Sequence, residues 1–140
     1  MPEQRHPRGV VDTSVVIDLE RIDPNDLPAE LAVSAVTLAE LAAGPHATAD
    51  PAERASRQDR LQRTEATFEP LPVDGAVARA YGRLYVAVAA ARRKARARRA
   101  LDLLIAATAL AAGLPLYTRN PGDFGELSSL LEIVAVEPSG

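Results

Sequence analysis

The chain has 140 residues, a net charge of −3, 47% hydrophobic residues and no cysteine. That length suits one domain burying ~68% of its unfolded surface, and the missing cysteines exclude a disulfide framework and thiolate chemistry. The longest nearly pure apolar run, 103–114, is too short to span a bilayer, and residues 1–8 lack the apolar stretch of a signal peptide, so a cytoplasmic protein with no membrane partner is expected.

Residues 1–8 are polar, carry two prolines and read as a loose N-terminus. Val10 and Val11 predict a buried strand, because β-branched residues fit a pleated, packed surface. Asp12 ends it, as the one charge between Gly9 and Ile17. Thr13 and Ser14 suit a turn or a helix N-cap, and a short helix follows over 15 to about 20. Residues 22–26 form a loop rich in helix breakers. A short buried strand is predicted over 31–34 and a helix over 36–43, stopped by Gly44-Pro45. Asp50-Pro51 is a strong helix start, and that charged helix runs to about 67. Residues 68–73 look strand-like but hold Pro70 and Pro72, which confines them to a sheet edge. Asp74 caps a long helix through 91, with Val77, Tyr81, Leu84, Val88 and Ala91 on one face.

An Arg-rich segment comes next. Between Gly75 and Leu101 there is no acid, and Arg79, Arg83, Arg92, Arg93, Lys94, Arg96, Arg98 and Arg99 give +8, leaving −11 for the rest. Such asymmetry steers polyanions. No Gly or Pro marks where one helix gives way to the next. Residues 101–112 predict a helix that is apolar nearly all round and therefore central. Gly113 ends it. A strand over 114–118, a turn over 120–123 and a last strand over 131–136 complete the chain. Alternating strands and helices imply an α/β fold in three layers, with a mainly parallel sheet of about five strands covered on both faces.

Three carboxylates stand alone in apolar sequence. Asp12 is one, Glu40 is the only charge over 31–45, and Asp102 is the only charge over 100–118. An ionised carboxylate removed from water costs several kcal/mol unless it is paired. Each also has a structural explanation. Asp12 can cap a helix, Glu40 matches a capping box with Thr37, and Asp102 lies within helical reach of Arg98 and Arg99. Asp123 fits ordinary turn chemistry. Together they favour a site. Asp12 and Asp123 each follow a strand, which puts both at the carboxyl edge of a parallel sheet, where ligands bind. Asp102 opens a helix whose next positions on that face, Ala106 and Ala109, are small. Oxygen ligands without Cys or a His cluster point to Mg²⁺ or Mn²⁺. His6 and His46 read as surface residues.

These stretches resemble the PIN-domain ribonucleases, and within them the VapC-type toxins of bacterial toxin–antitoxin pairs. The resemblance runs through Val11-Asp12-Thr13-Ser14-Val15, Ser34–Leu41 with Glu40, Asp102–Ala109, and Leu116–Phe124 with Asp123. It implies that Asp12, Glu40 and Asp102 form an acidic triad, with Asp123 at a fourth, more variable position. Where some members carry a further Asp, this chain has Asn120. It also implies a homodimer and a small VapB-type antitoxin that inhibits the site.

The expected chemistry is hydrolysis of an RNA phosphodiester by a metal-activated water. Asp12, Asp102 and Asp123 would bind the ion, and Glu40 would orient or deprotonate the water or help hold a second ion. Thr13, Ser14, Thr118 and Asn120 would position waters or phosphate oxygens, and Arg119 would meet the phosphate. Arg92, Arg93, Lys94, Arg96, Arg98 and Arg99 read as an RNA-backbone surface or as a solvated helix end. The alternative is a catalytically silent PIN-like module that binds RNA or a protein. A dehalogenase-type phosphatase needs a second Asp where Ser14 stands, and a receiver domain needs a lysine after the last strand, whereas the only one is Lys94.

Overall fold

The computed structural model describes residues 6–90 and 97–137. Ala91, Arg92, Arg93, Lys94 and Arg96 lie outside the described residues, as does the side chain of Arg98. The elements are β1 (Arg8–Val11), α1 (Thr13–Ile17), β2 (Glu30–Ala32), α2 (Ala35–Ala43), α3 (Pro51–Thr67), α4 (Gly75–Ala90), α5 (Ala97–Ala112), β3 (Leu116–Thr118) and β4 (Ile133–Ala135). Short 3₁₀ turns fill several connections, the longest being Pro121–Leu127.

The four strands form one sheet in the order β2-β1-β3-β4, parallel throughout. The expected fifth strand over 68–73 is reduced to a single bridge between Ser34 and Leu71. There Leu71 N–H donates to the Val33 carbonyl and the Leu71 carbonyl accepts from Ala35, each at 2.8 Å. Pro70 and Pro72 alternate with Leu71 along the segment, so their missing N–H groups fall on the side turned away from Val33 and Ala35 and leave the outer edge without those donors. The first helix is also shorter than expected. It stops at Ile17, and a separate 3₁₀ turn covers Leu19–Arg21. The end of the N-terminal segment is tied down, because the His6 and Pro7 carbonyls accept from Ala29 and Glu30.

Strand alternation divides the interior in two. Val10 and Leu116 face a core built with Leu84 and Val88 of α4 and Leu103, Ile105 and Ala109 of α5. Val11 and Tyr117 face the other, with Val15 and Val16 of α1, Leu41 of α2 and Leu61 of α3. Gly9 allows the β1–β3 approach, since a Cβ there would stand 2.6 Å from Cε1 of Tyr117. Gly113 ends α5 with a φ of +69°, the left-handed conformation glycine adopts without strain. No helix among the described residues is long and apolar enough to cross a membrane.

Candidate active site

Asp12 follows β1 directly, and its N–H donates to the Tyr117 carbonyl at 3.0 Å. Its carboxylate caps α1. Oδ1 accepts from Val15 N–H at 3.1 Å and from the Ser14 hydroxyl at 2.5 Å, and the Thr118 hydroxyl bonds to the same carboxylate. Asp12 is thus the N-cap that its sequence context allowed. Asp12 is 5% exposed. Burial pushes its pKa above the ordinary carboxylate value, against the pull of the Ser14, Thr118 and backbone hydrogen bonds. No cationic side chain of the described residues pairs with it.

Glu40 sits in the second turn of α2. The N-cap of that helix is Ser34, whose hydroxyl accepts from Val36 N–H at 3.1 Å. The Thr37–Glu40 capping box that the spacing allowed does not form, because Thr37 is already inside the helix. Instead the Thr13 hydroxyl donates to Glu40 Oε1 at 2.7 Å and stands 3.1 Å from Thr37 Oγ1. Thr13, at the start of α1, thus ties down the carboxylate of a residue on α2. A second buried link runs from α2 to α5. Thr108 Oγ1 donates to the Leu104 carbonyl at 2.8 Å, so Ser34 Oγ must be the donor in the 3.0 Å contact between the two hydroxyls.

Asp12, Glu40, Asp102 and Asp123 line one cleft of about 420 Å³, with Thr13, Ser14 and Asn120 beside them. The four acids predicted from sequence are thus brought to one place. Apolar Ile17, Leu101 and Phe124 complete the wall. Ile17 and Leu101 are partly exposed, and sequence reasoning passed over both. Among the described residues no three His, Asp or Glu side chains are grouped tightly enough to hold a metal ion between them, so the acids ring the cleft rather than close around its centre.

Some expected site residues lie elsewhere. Arg119 is not in the cleft lining. Its guanidinium pairs with Asp18, which also meets Arg21 at 3.5 Å, and only its backbone N–H turns toward the site, donating to Ser14 Oγ at 3.2 Å. Thr118 is buried; besides meeting Asp12 it accepts from Asn120 N–H at 3.0 Å. Arg99, expected on an RNA-facing surface and as an ion-pair partner for Asp102, engages the Asp123 carbonyl and Glu126. His6 pairs with Glu132, and neither His6 nor His46 lines the cleft.

A parallel sheet with helices on both faces and a carboxylate-lined cleft past its carboxyl edge defines an α/β protein with an acidic active-site candidate. The chain belongs to the PIN-domain family, whose pattern matches residues 9–129. It is 39% identical to Ribonuclease VapC5 of Mycobacterium tuberculosis over 133 residues, covering 91% of this chain and 95% of that one. With Ribonuclease VapC4 of the same organism it shares 37% over 132 residues, covering 92% and 97%. The crystal structure of VapBC-5, a member of the VapBC family of toxin–antitoxin systems from that organism, superposes with a TM-score of 0.81 at 39% identity, over 93% of this chain and 99% of the other.

Proposed function

We propose that this chain is a metal-dependent endoribonuclease, the toxin of a VapBC-type toxin–antitoxin pair. The observation that carries the reading is Asp12, a buried carboxylate with no cationic partner among the described residues, in a cleft shared with Glu40, Asp102 and Asp123. The relatives named ribonucleases support it over nearly the whole chain.

A divalent cation fits this donor set. The donors are all oxygens, which suit Mg²⁺ or Mn²⁺. Mg²⁺ is commonly held by one or two carboxylates, with waters and substrate phosphate filling its remaining positions. An open ring of acids meets that need without a closed protein cage. Asp12 and Asp102 would hold the ion, with Asp123 or Asn120 assisting. When bound, it would lower the pKa of a water and offset charge on the phosphate.

The chain's own groups supply the remainder. Ser14, Thr118 and the Val15 N–H fix the Asp12 carboxylate in one orientation. Glu40, held by Thr13, would orient or deprotonate the attacking water or help hold a second ion. Arg92, Arg93, Lys94 and Arg96 would supply phosphate contacts, which position RNA without reading its sequence. A VapB-type antitoxin as partner, a homodimer and a cytoplasmic location belong to the same reading.

The test is purified protein with RNA and Mg²⁺, repeated in EDTA. Cleavage is expected in the first and none in the second. Cleavage that persists in EDTA removes the metal from the mechanism, and no cleavage in Mg²⁺ leaves the silent binding module as the better account.

A further inference from the structure

We propose that Arg99 and Glu126 form a partly buried clamp that sets the distance between Asp102 and Asp123 across the cleft. The proposal rests on the functional reading above and goes beyond it, because neither residue lines the cleft.

The clamp follows from two helical periods. In α5, Arg99 and Asp102 are three residues apart and share a face. In the 3₁₀ turn Pro121–Leu127, side chains three apart eclipse one another, so Asp123 aligns with Glu126, and Phe124 with Leu127. Phe124 and Leu127 are buried in the core and root the turn. Arg99 spans the gap. One guanidinium nitrogen, Nη1, donates to the Asp123 carbonyl, while Nη2 meets Glu126 Oε2 at 2.9 Å. Both side chains of the pair are only 14% exposed. A planar guanidinium with fixed donors fixes two acceptors relative to each other, as a flexible ammonium does not. The helix that carries Asp102 and the turn that carries Asp123 are therefore locked by a group one helical turn from the site.

The location also separates this role from the phosphate contact that the basic run suggests. A phosphate-binding arginine needs access to solvent. Arg99 has a buried Nε, and its other nitrogens face protein acceptors. It acts through Asp123, as a positioning residue.

The experiment measures Mn²⁺ affinity by titration calorimetry in the absence of RNA, together with kcat and KM for RNA cleavage. The variants are Arg99→Gln, Glu126→Gln and their double. Groups that orient metal ligands typically change affinity 10–100-fold when lost. Each single variant is expected to weaken Mn²⁺ binding about 10-fold or more and to lower kcat with KM for RNA little changed. The double is expected to do no worse than the more damaging single, since one clamp is broken in each case. Arg99→Lys should recover part of the loss at most.

Breaking a partly buried pair risks the fold, so a second pair of changes, Arg99→Met with Glu126→Leu, keeps the volume apolar while losing the hold on Asp123. It is expected to melt near the wild type and still bind Mn²⁺ weakly. The proposal is overturned if this folded variant binds Mn²⁺ as the wild type does. It is also overturned if Arg99→Gln raises KM alone while Glu126→Gln does nothing, which is the signature of a phosphate contact. Failure of the nuclease reading looks different: the wild type would then cleave no RNA in Mg²⁺, or Asp12→Asn would cleave as well as the wild type, whatever Arg99 does.

Discussion

Asp12→Asn separates the two things the Asp12 carboxylate does. The amide keeps an oxygen for Val15 N–H and Ser14, so the cap on α1 survives, but the charge goes. In the metal-free protein that charge is a burden. Burial raises the Asp12 pKa above its unfolded value, so the stability linked to this group is complete below the ordinary aspartate pKa and is lost as pH rises through the raised folded value. Asn never ionises. The variant should therefore melt alongside the wild type in acid and above it at neutral pH. For 140 residues the unfolding entropy is about 0.3 kcal/mol/K. Each tenfold change in proton affinity, about 1.4 kcal/mol, then raises the melting temperature by about 5 °C. Mg²⁺ should invert the order. An ion at 100 times its Kd stabilises the wild type by about 2.7 kcal/mol, or about 9 °C, and should leave the variant unmoved. Scanning calorimetry at pH 4 and pH 7.5, with and without Mg²⁺, gives four values for each protein, and an RNA cleavage assay should find the variant inactive. Asp12→Ala is the control. It loses the cap as well, at about 1 kcal/mol, about 3 °C. If Asp12→Asn melts below the wild type in metal-free buffer at neutral pH, the fold needs the charge and the argument for an ion collapses.

Two further outcomes follow from the geometry. Thr13→Val removes the hydroxyl 2.7 Å from Glu40, and kcat for RNA should fall about 10–100-fold with little change in melting; an unchanged kcat would mean that Glu40 needs no holding. Gly9→Ala puts a methyl group 2.6 Å from Tyr117 Cε1 and 3.2 Å from Pro28 Cγ, which should cost about 1–3 kcal/mol, a melting drop of about 3–10 °C. Equal melting of the two proteins would show that the strands part freely.

The carboxylates were legible because apolar sequence makes a lone charge conspicuous. Asp12, Glu40 and Asp102 each interrupt a run fit for a core, and the cleft gathers all three with Asp123. The strand and helix order was legible for the same reason, since hydrophobic period and Gly or Pro punctuation coincide at most boundaries. What escaped lay where signals were dense or distant. The passage from α4 to α5 lies in a basic run without Gly or Pro, outside the described residues. Arg99 looked like one of many surface cations, because its partner Glu126 stands 27 positions downstream and no local pattern links them. Arg119 was likewise drawn away by Asp18, 101 positions earlier. The bridge at Leu71 lay between two outcomes that proline leaves open, an edge strand or none. Ile17 and Leu101 read as ordinary helix residues, since exposure at the lip of a cleft is a tertiary property.

Val10 and Val11 belong to different cores, on opposite faces of the same sheet. This sets how the chain can change length. Inserting or deleting one residue in β1 would exchange the two valines between cores of different shape and would turn Gly9 away from the Tyr117 ring. It would also move Asp12 off the strand end by one step. Substitutions can be absorbed here one methyl group at a time, but changes in length cannot. Variation in length must be taken up outside β1, in connections such as the turn at Pro24–Asp26, where no side chain is counted from the site.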